Sequence, residues 1–193
     1  MEKYLQKYAA RVAEALCGLE WEKLVELGRV LAGAVRDGRR TFVFGNGACA
    51  AAASHFVCDT AKGFLANPEI PRARILSLND CIPLLTAWAN DSSYDEVFRQ
   101  PLENYFEPGD LVIGLSASGN SPNVIRALEF AEARGGITAA IVGKGGGKAA
   151  DLVRHLILIK NDSYEEVEDV IVAATHMLKM LVLDNYAALL KER

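Results

Sequence analysis

Cysteine is scarce, four residues in 193, and none of Cys17, Cys49, Cys58 and Cys81 lies in a CxxC pair. That excludes a zinc ribbon and a dense disulfide framework and favours a reducing compartment, so a cytoplasmic location is expected. Long apolar runs are missing too. None approaches the roughly 18 residues that a bilayer span requires, and Met1 to Arg11 is charged where a secretory signal would be apolar. No membrane partner is expected. Nor is there a surplus of positive charge: the formal net charge is −4 and the pI about 5.5. Nucleic acid binding favours a basic face, so no nucleic acid partner is expected either. With 51% hydrophobic and 24% charged residues, the composition excludes intrinsic disorder. The length suits one domain spanning residues 1–193.

Two amphipathic helices open the chain. Leu5, Tyr8, Val12, Leu16 and Leu19 recur at three- and four-residue steps, as do Trp21, Leu24, Leu27, Leu31 and Val35. The turn Asp37-Gly38-Arg39-Arg40 closes this extension, residues 1–37. Five short apolar runs follow, at Thr41–Phe44, Ala73–Leu78, Leu111–Leu115, Thr138–Val142 and Leu156–Ile159. Most are apolar without alternation, the pattern of strands covered on both faces. Helical patterns at Cys49–Gly63, Asp95–Tyr105 and Ser121–Arg134 separate several of them. A parallel connection needs a crossover, so the alternation predicts a doubly wound, parallel α/β sheet.

A last helix is expected from about Glu165 to Leu190. Val167, Val170, Ile171, Ala174, Leu178 and Leu181 form one apolar stripe, and Val172, Met180 and Leu183 form a second. A helix apolar on two faces is buried on two faces, which points to a homo-oligomer. The simpler alternative is that the terminal helices only cover the sheet.

Ligands of open parallel sheets bind beyond the carboxyl ends of the strands, where helix N-termini present unpaired N–H groups. Three turns fit that place. Gly45-Asn46-Gly47-Ala48 follows the first strand; it is no dinucleotide fingerprint, because GxGxxG is absent. Ser116-Ala117-Ser118-Gly119-Asn120-Ser121-Pro122 joins a strand to a helix with proline in its first turn. Ser121 is a natural N-cap. One cap needs one hydroxyl, so the remaining serines suggest a neutral cradle for a phosphate dianion. Gly143-Lys144-Gly145-Gly146-Gly147-Lys148 has the wrong spacing for a P-loop and reads as a mobile loop.

Taken together, Gly45-Asn46-Gly47 with His55 ten residues on, Ala89-Asn90-Asp91, Ser116 to Val124, Gly146-Gly147-Lys148 and the late His176 resemble the sugar isomerase (SIS) superfamily. More narrowly, the chain is similar to the phosphoheptose isomerases from about Phe42 onward. That resemblance implies a three-layer fold with five parallel strands flanked by helices, and a homotetramer with active sites at subunit interfaces. It implies conversion of sedoheptulose 7-phosphate to an aldose heptose 7-phosphate. It implies that Asn46, Gly47, Ala48 and Cys49 touch substrate, that Ser116, Ala117, Ser118 and Ser121 hold the phosphate, and that Asn90 and Asp91 bind sugar hydroxyls. His55, Asp59, Glu168 and His176 would surround a zinc ion (Zn2+), with Asp59, Glu168 and His176 as catalytic groups.

The chemistry of these residues agrees. Aldose–ketose interconversion needs a base near C1 and C2 and a group that moves a proton between oxygens. His55 and Asp59 lie four apart and share a helix face. With His176 they offer zinc two imidazoles and a carboxylate, and Ala50 to Ala53 leave room for a ligand. His155 carries no assigned role. Three residues depart from the family pattern: Asp59 and Glu168 replace a glutamate and a glutamine, and Cys49 replaces a serine. Glu168 precedes His176 by eight residues, about 12 Å along a helix, so it ranks below the other three as a shared ligand. The alternative function is a sugar-phosphate sensor or adaptor that binds without turnover.

Overall fold

The structure, a computed structural model, describes residues 1–191. Helices α1 (Glu2–Cys17) and α2 (Trp21–Arg36) lead into strand β1 (Arg40–Gly45) and helix α3 (Ala48–Gly63). Strand β2 (Arg74–Ser77) is followed by α4 (Ile82–Asp91) and α5 (Arg99–Tyr105), and β3 (Leu111–Ser116) by α6 (Pro122–Ala133). Then come β4 (Ile137–Val142), α7 (Gly147–Leu152), β5 (His155–Leu158) and α8 (Tyr164–Leu189). All four strand pairs are parallel, in the order β2-β1-β3-β4-β5. This is the expected three-layer fold.

Side chains alternate across a strand, so an unbroken apolar run feeds two cores at once. Phe42 and Phe44 of β1 point to one face, where they meet Phe98, Leu102, Val124 and Leu128. Val43 points to the other, with Leu27, Leu31, Phe56, Val170 and Leu178. Thus α1, α2, α3 and α8 cover one face, and α4 to α7 the other.

Three features differ from the sequence reading. Helix α4, absent from that reading, has no fully buried residue and packs on the core only through the partly buried Leu85, Trp88 and Ala89. The pattern at Asp95–Tyr105 splits into a 3₁₀ turn at Tyr94–Glu96 and the shorter α5. The glycine-rich segment after β4 is a 3₁₀ turn and the start of α7, tied down by the Lys144 amide on the Asn161 carbonyl at 3.1 Å. All four cysteines are free. Among the described residues, no helix is long and apolar enough to cross a membrane.

Polar contacts as well as packing hold α1 on α8. The Tyr8 hydroxyl donates to Asp169 at 2.6 Å. Arg11 Nε donates to Glu166 Oε1 at 2.6 Å, and Asn161 Nδ2 to its other oxygen at 2.7 Å. Glu166 is only 3% exposed. The Asn161 amide and then Arg11 hold its carboxyl below the ordinary carboxylate value. A lowered value in the folded state stabilises fully above the ordinary value of 4.5 and is lost as pH falls through the lowered one. Arg11→Met should therefore be less stable than wild type at neutral pH and lose less on acidification to about pH 3. Urea midpoints of both proteins at the two pH values check this; equal acid losses would contradict it.

Candidate active site at the sheet switch point

Strand β1 leaves the sheet through α3 on one face, and its neighbour β3 leaves through α6 on the opposite face. Gly45 and Leu115 are paired across them. Their turns diverge and open a crevice between two helix N-termini, the usual ligand position in such sheets.

The first wall is the Asn46-Gly47 turn. Gly47 caps α3 with φ 56°, a conformation that glycine adopts freely. The Asn46 amide forms a reciprocal pair with Asn123, both bonds at 2.9 Å. Cys49 is buried beneath, and burial pushes its thiol up to about 11 against a hydrogen bond from the Ala117 backbone. It is a packed, protonated thiol.

The second wall is the serine turn. Ser121 occupies the N-cap position of α6 without bonding the helix backbone; its Oγ lies 3.2 Å from Ser116 Oγ. The expected cap is absent, which leaves that hydroxyl for a ligand. The Ser118 Oγ accepts the Asn120 amide at 3.2 Å. A close backbone approach sets the turn's shape: Gly119 has φ +63°, and a Cβ there would stand 2.0 Å from the Gly146 carbonyl oxygen. The loop after β4 thereby braces the serines, with the Lys148 amide donating to Asn120 Oδ1 at 3.0 Å and the Ala149 amide to the Gly119 carbonyl at 3.0 Å, a distance typical of a backbone bond. These turns enclose about 210 Å³, lined by Asn46, Gly47, Cys49, Ser116, Ala117, Ser118, Ser121, Tyr164 and Glu168.

A second cavity of about 550 Å³ adjoins along α3 and α8, lined by Ala48, Ala51, Ala52, His55, Glu165, Glu168, Asp169, Val172 and His176. Glu168 belongs to both. Burial, then Glu165 and Asp169, push its carboxyl above the ordinary value. His55, Asp59 and His176 converge from the two helices: Nε2 to Nε2 is 2.8 Å, and Asp59 Oδ2 lies 3.3 and 3.5 Å from those nitrogens. Zinc bonds of about 2.0–2.1 Å in a tetrahedron require ligand atoms about 3.3 Å apart. The triangle is close to one face of that tetrahedron, so the donor set and its spacing fit the ion. Glu168 is not in the converged group. Its half-buried carboxylate instead borders the ligand space.

Not every candidate joins. Asn90 and Asp91, at the end of α4, are exposed and bond each other at 2.8 Å, outside both cavity walls. His155 pairs with Glu26 at 3.1 Å on the sheet edge, away from the site. Tyr164, Glu165 and Asp169 line the cavities although sequence reading gave them no role. They occupy the first turns of the helix after β5, so the strand-end rule that selected the serines would have found them.

A family model for the SIS domain matches residues 3–143. The chain is 35% identical over 182 residues to the "Probable phosphoheptose isomerase" of Thermoplasma volcanium, covering 94% of this chain and 91% of that protein. It is 34% identical over 176 residues to the phosphoheptose isomerase of Chlorobium phaeobacteroides, covering 91% and 78%. The solved phosphoheptose isomerase of Neisseria gonorrhoeae shares the fold at a TM-score of 0.86 and 24% identity, over 95% of this chain and 98% of that one. Sheet order, serine turn and family match define the class, a SIS domain. Within it the chain belongs to the phosphoheptose isomerase family, and it is an isomerase.

Gly119→Ala places a methyl on the Gly146 carbonyl and forces a left-handed alanine. It should cost about 2 kcal/mol or more of stability and abolish inorganic phosphate binding. Urea unfolding and calorimetric titration measure both; wild-type phosphate affinity in this variant would count against the braced cradle.

Proposed function

We propose that the chain interconverts sedoheptulose 7-phosphate and D-glycero-D-manno-heptose 7-phosphate, a step in heptose biosynthesis. The observation that carries this reading is the shared wall: Glu168 borders both the serine cavity and the cavity closed by His55 and His176. A phosphate among Ser116, the Ala117 backbone, Ser118 and Ser121 would extend its sugar chain past Asn46, Gly47, Ala48 and Cys49 toward the imidazoles.

Ketose to aldose conversion removes a proton from C1 and protonates O2, giving an enediol. Return of a proton to C2 with loss of the O1 proton completes the reaction, with no net change in atoms. Glu168, its carboxyl raised toward neutrality, and Asp59 are the candidate bases. His176 would move the proton between O1 and O2, through Nδ1 where Nε2 holds the metal. His55, Asp59 and His176, with Glu168 nearby, would hold a zinc ion, which when bound polarises the ketose carbonyl.

We read residues 1–193 as one SIS domain with a helical extension at 1–37, acting in the cytoplasm as a homotetramer. The α2–α8 surface supports assembly: Trp21 and Met180 are about half exposed beside Met177 and Leu181 around a groove of about 410 Å³. Asn90 and Asp91, exposed and outside both cavities, would reach sugar hydroxyls only across such a subunit contact. The non-catalytic sensor reading has no use for two imidazoles and two carboxylates beside the anion cradle.

Purified protein incubated with sedoheptulose 7-phosphate should form the aldose. No product, with or without added zinc, would refute the reaction. Glu168→Gln should lower kcat by about 10²–10⁴-fold, as expected for removal of a general base. His55→Gln and His176→Gln should each lose the stoichiometric zinc of the wild type, measured by elemental analysis after dialysis. Full zinc retention in either variant would take that histidine out of the metal site.

A further inference from the structure

We infer that Asn123 is a positioning residue that, together with Tyr94, fixes the amide of Asn46 so that Asn46 can only donate a hydrogen bond to substrate. This rests on the proposed use of Asn46 in sugar-phosphate binding, and deepens it.

The orientation follows from donors that cannot be exchanged. The Val124 backbone N–H donates to Asn123 Oδ1 at 2.9 Å, and a backbone amide has no acceptor role. That bond fixes which end of the Asn123 amide carries oxygen. Asn123 is 1% exposed, so no water competes for it. Its Nδ2 must then face Asn46, and Asn46 must answer with Oδ1, at 2.9 Å. In return, Asn46 Nδ2 donates to Asn123 Oδ1, also at 2.9 Å. The Tyr94 hydroxyl, arriving from the connection between α4 and α5, donates to the same Asn46 Oδ1 at 3.1 Å.

Both acceptor sites of Asn46 Oδ1 are now used, and one of the two Nδ2 hydrogens is used. What remains at the cavity wall is a single N–H. The ligand atom beside Asn46 is therefore an oxygen that accepts: a carbonyl, a phosphate oxygen or a hydroxyl turned to receive. The pairing also spans the switch point. It locks the turn after β1 to the first turn of α6, and so couples the sugar-side wall to the serine wall.

The test is a thermodynamic cycle read by calorimetric titration of sedoheptulose 7-phosphate. Tyr94→Phe is safe for folding because Tyr94 is 53% exposed. It should weaken binding a few-fold, and Asn123→Ala by about tenfold, the scale of one net hydrogen bond. In an Asn46→Ala background both effects on binding should vanish. Asn123→Asp should bind weakly at neutral pH and regain affinity as acidification protonates the carboxyl and restores a donor toward Asn46. Wild-type affinity in Tyr94→Phe and Asn123→Ala, or full effects surviving without Asn46, would overturn the inference. Wild type that binds without isomerising overturns the proposed reaction and leaves this clamp tested. Wild type that does not bind overturns both.

Discussion

Adjacent parallel strands β1 and β3 send their chains to opposite faces of the sheet, and the site depends on the gap this opens above Gly45 and Ser116. Two helices cannot fill it, because each turns away from the other to cover its own core. The gap is held at a fixed width from both sides. Glycine at position 45 lets the Cys49 Cβ come close, since a Cβ added there would stand 2.6 Å from it. Gly119 likewise permits contact with the Gly146 carbonyl. Close packing at such short range leaves the walls little room to shift, which is what preorganised binding requires.

Rigidity alone does not explain how an anion is tolerated in a chain of net charge −4. Among the described residues, the serine cavity has no basic side chain in its wall, and Glu168 lies in it. Lys144 stands nearby with its ammonium 3.4 Å from the centre of the Tyr164 ring. Hydroxyls and helix N-termini must supply most of the attraction, through dipoles that need no countercharge. A dianion beside Glu168 would favour the protonated carboxyl, adding to the upward push from burial, Glu165 and Asp169. On the proposed reading, phosphate binding and the readiness of Glu168 to exchange a proton would be linked by the same field.

Much of this was legible in the sequence because it is written in local signals. The five apolar runs fall on the five strands, and the serine turn sits at a strand end because a strand and a proline-led helix bracket it. His55 and Asp59 share a face by spacing alone. Their meeting with His176, 121 residues away from His55, had no local signature and came from resemblance. Helix α4 carries a weak signal because it buries no residue fully, and the pattern at 95–105 reads as one helix because periodicity does not register a change of pitch between the 3₁₀ turn and α5. Ser121 shows the limit of cap rules: its position is that of a cap, but its hydroxyl faces Ser116. Asn123 was visible as a letter in a motif; its role requires knowing that Asn46 lies opposite.

The histidine pair imposes a division of labour. An imidazole nitrogen that coordinates a cation has no lone pair left to take a proton, and the Nε2 atoms of both rings point into the triangle with Asp59. In a metal-loaded site His176 therefore cannot use Nε2 as a proton carrier. Asp59, a methylene shorter than the glutamate the resemblance leads one to expect, lies 3.3 and 3.5 Å from those nitrogens, in the same triangle. The carboxylate left free is Glu168, which stands outside the triangle, faces both cavities and is biased toward protonation. On the proposed reading, Glu168 would then be the base with freer access to the ligand space, and Asp59, drawn toward the two imidazoles, the more constrained of the two candidates.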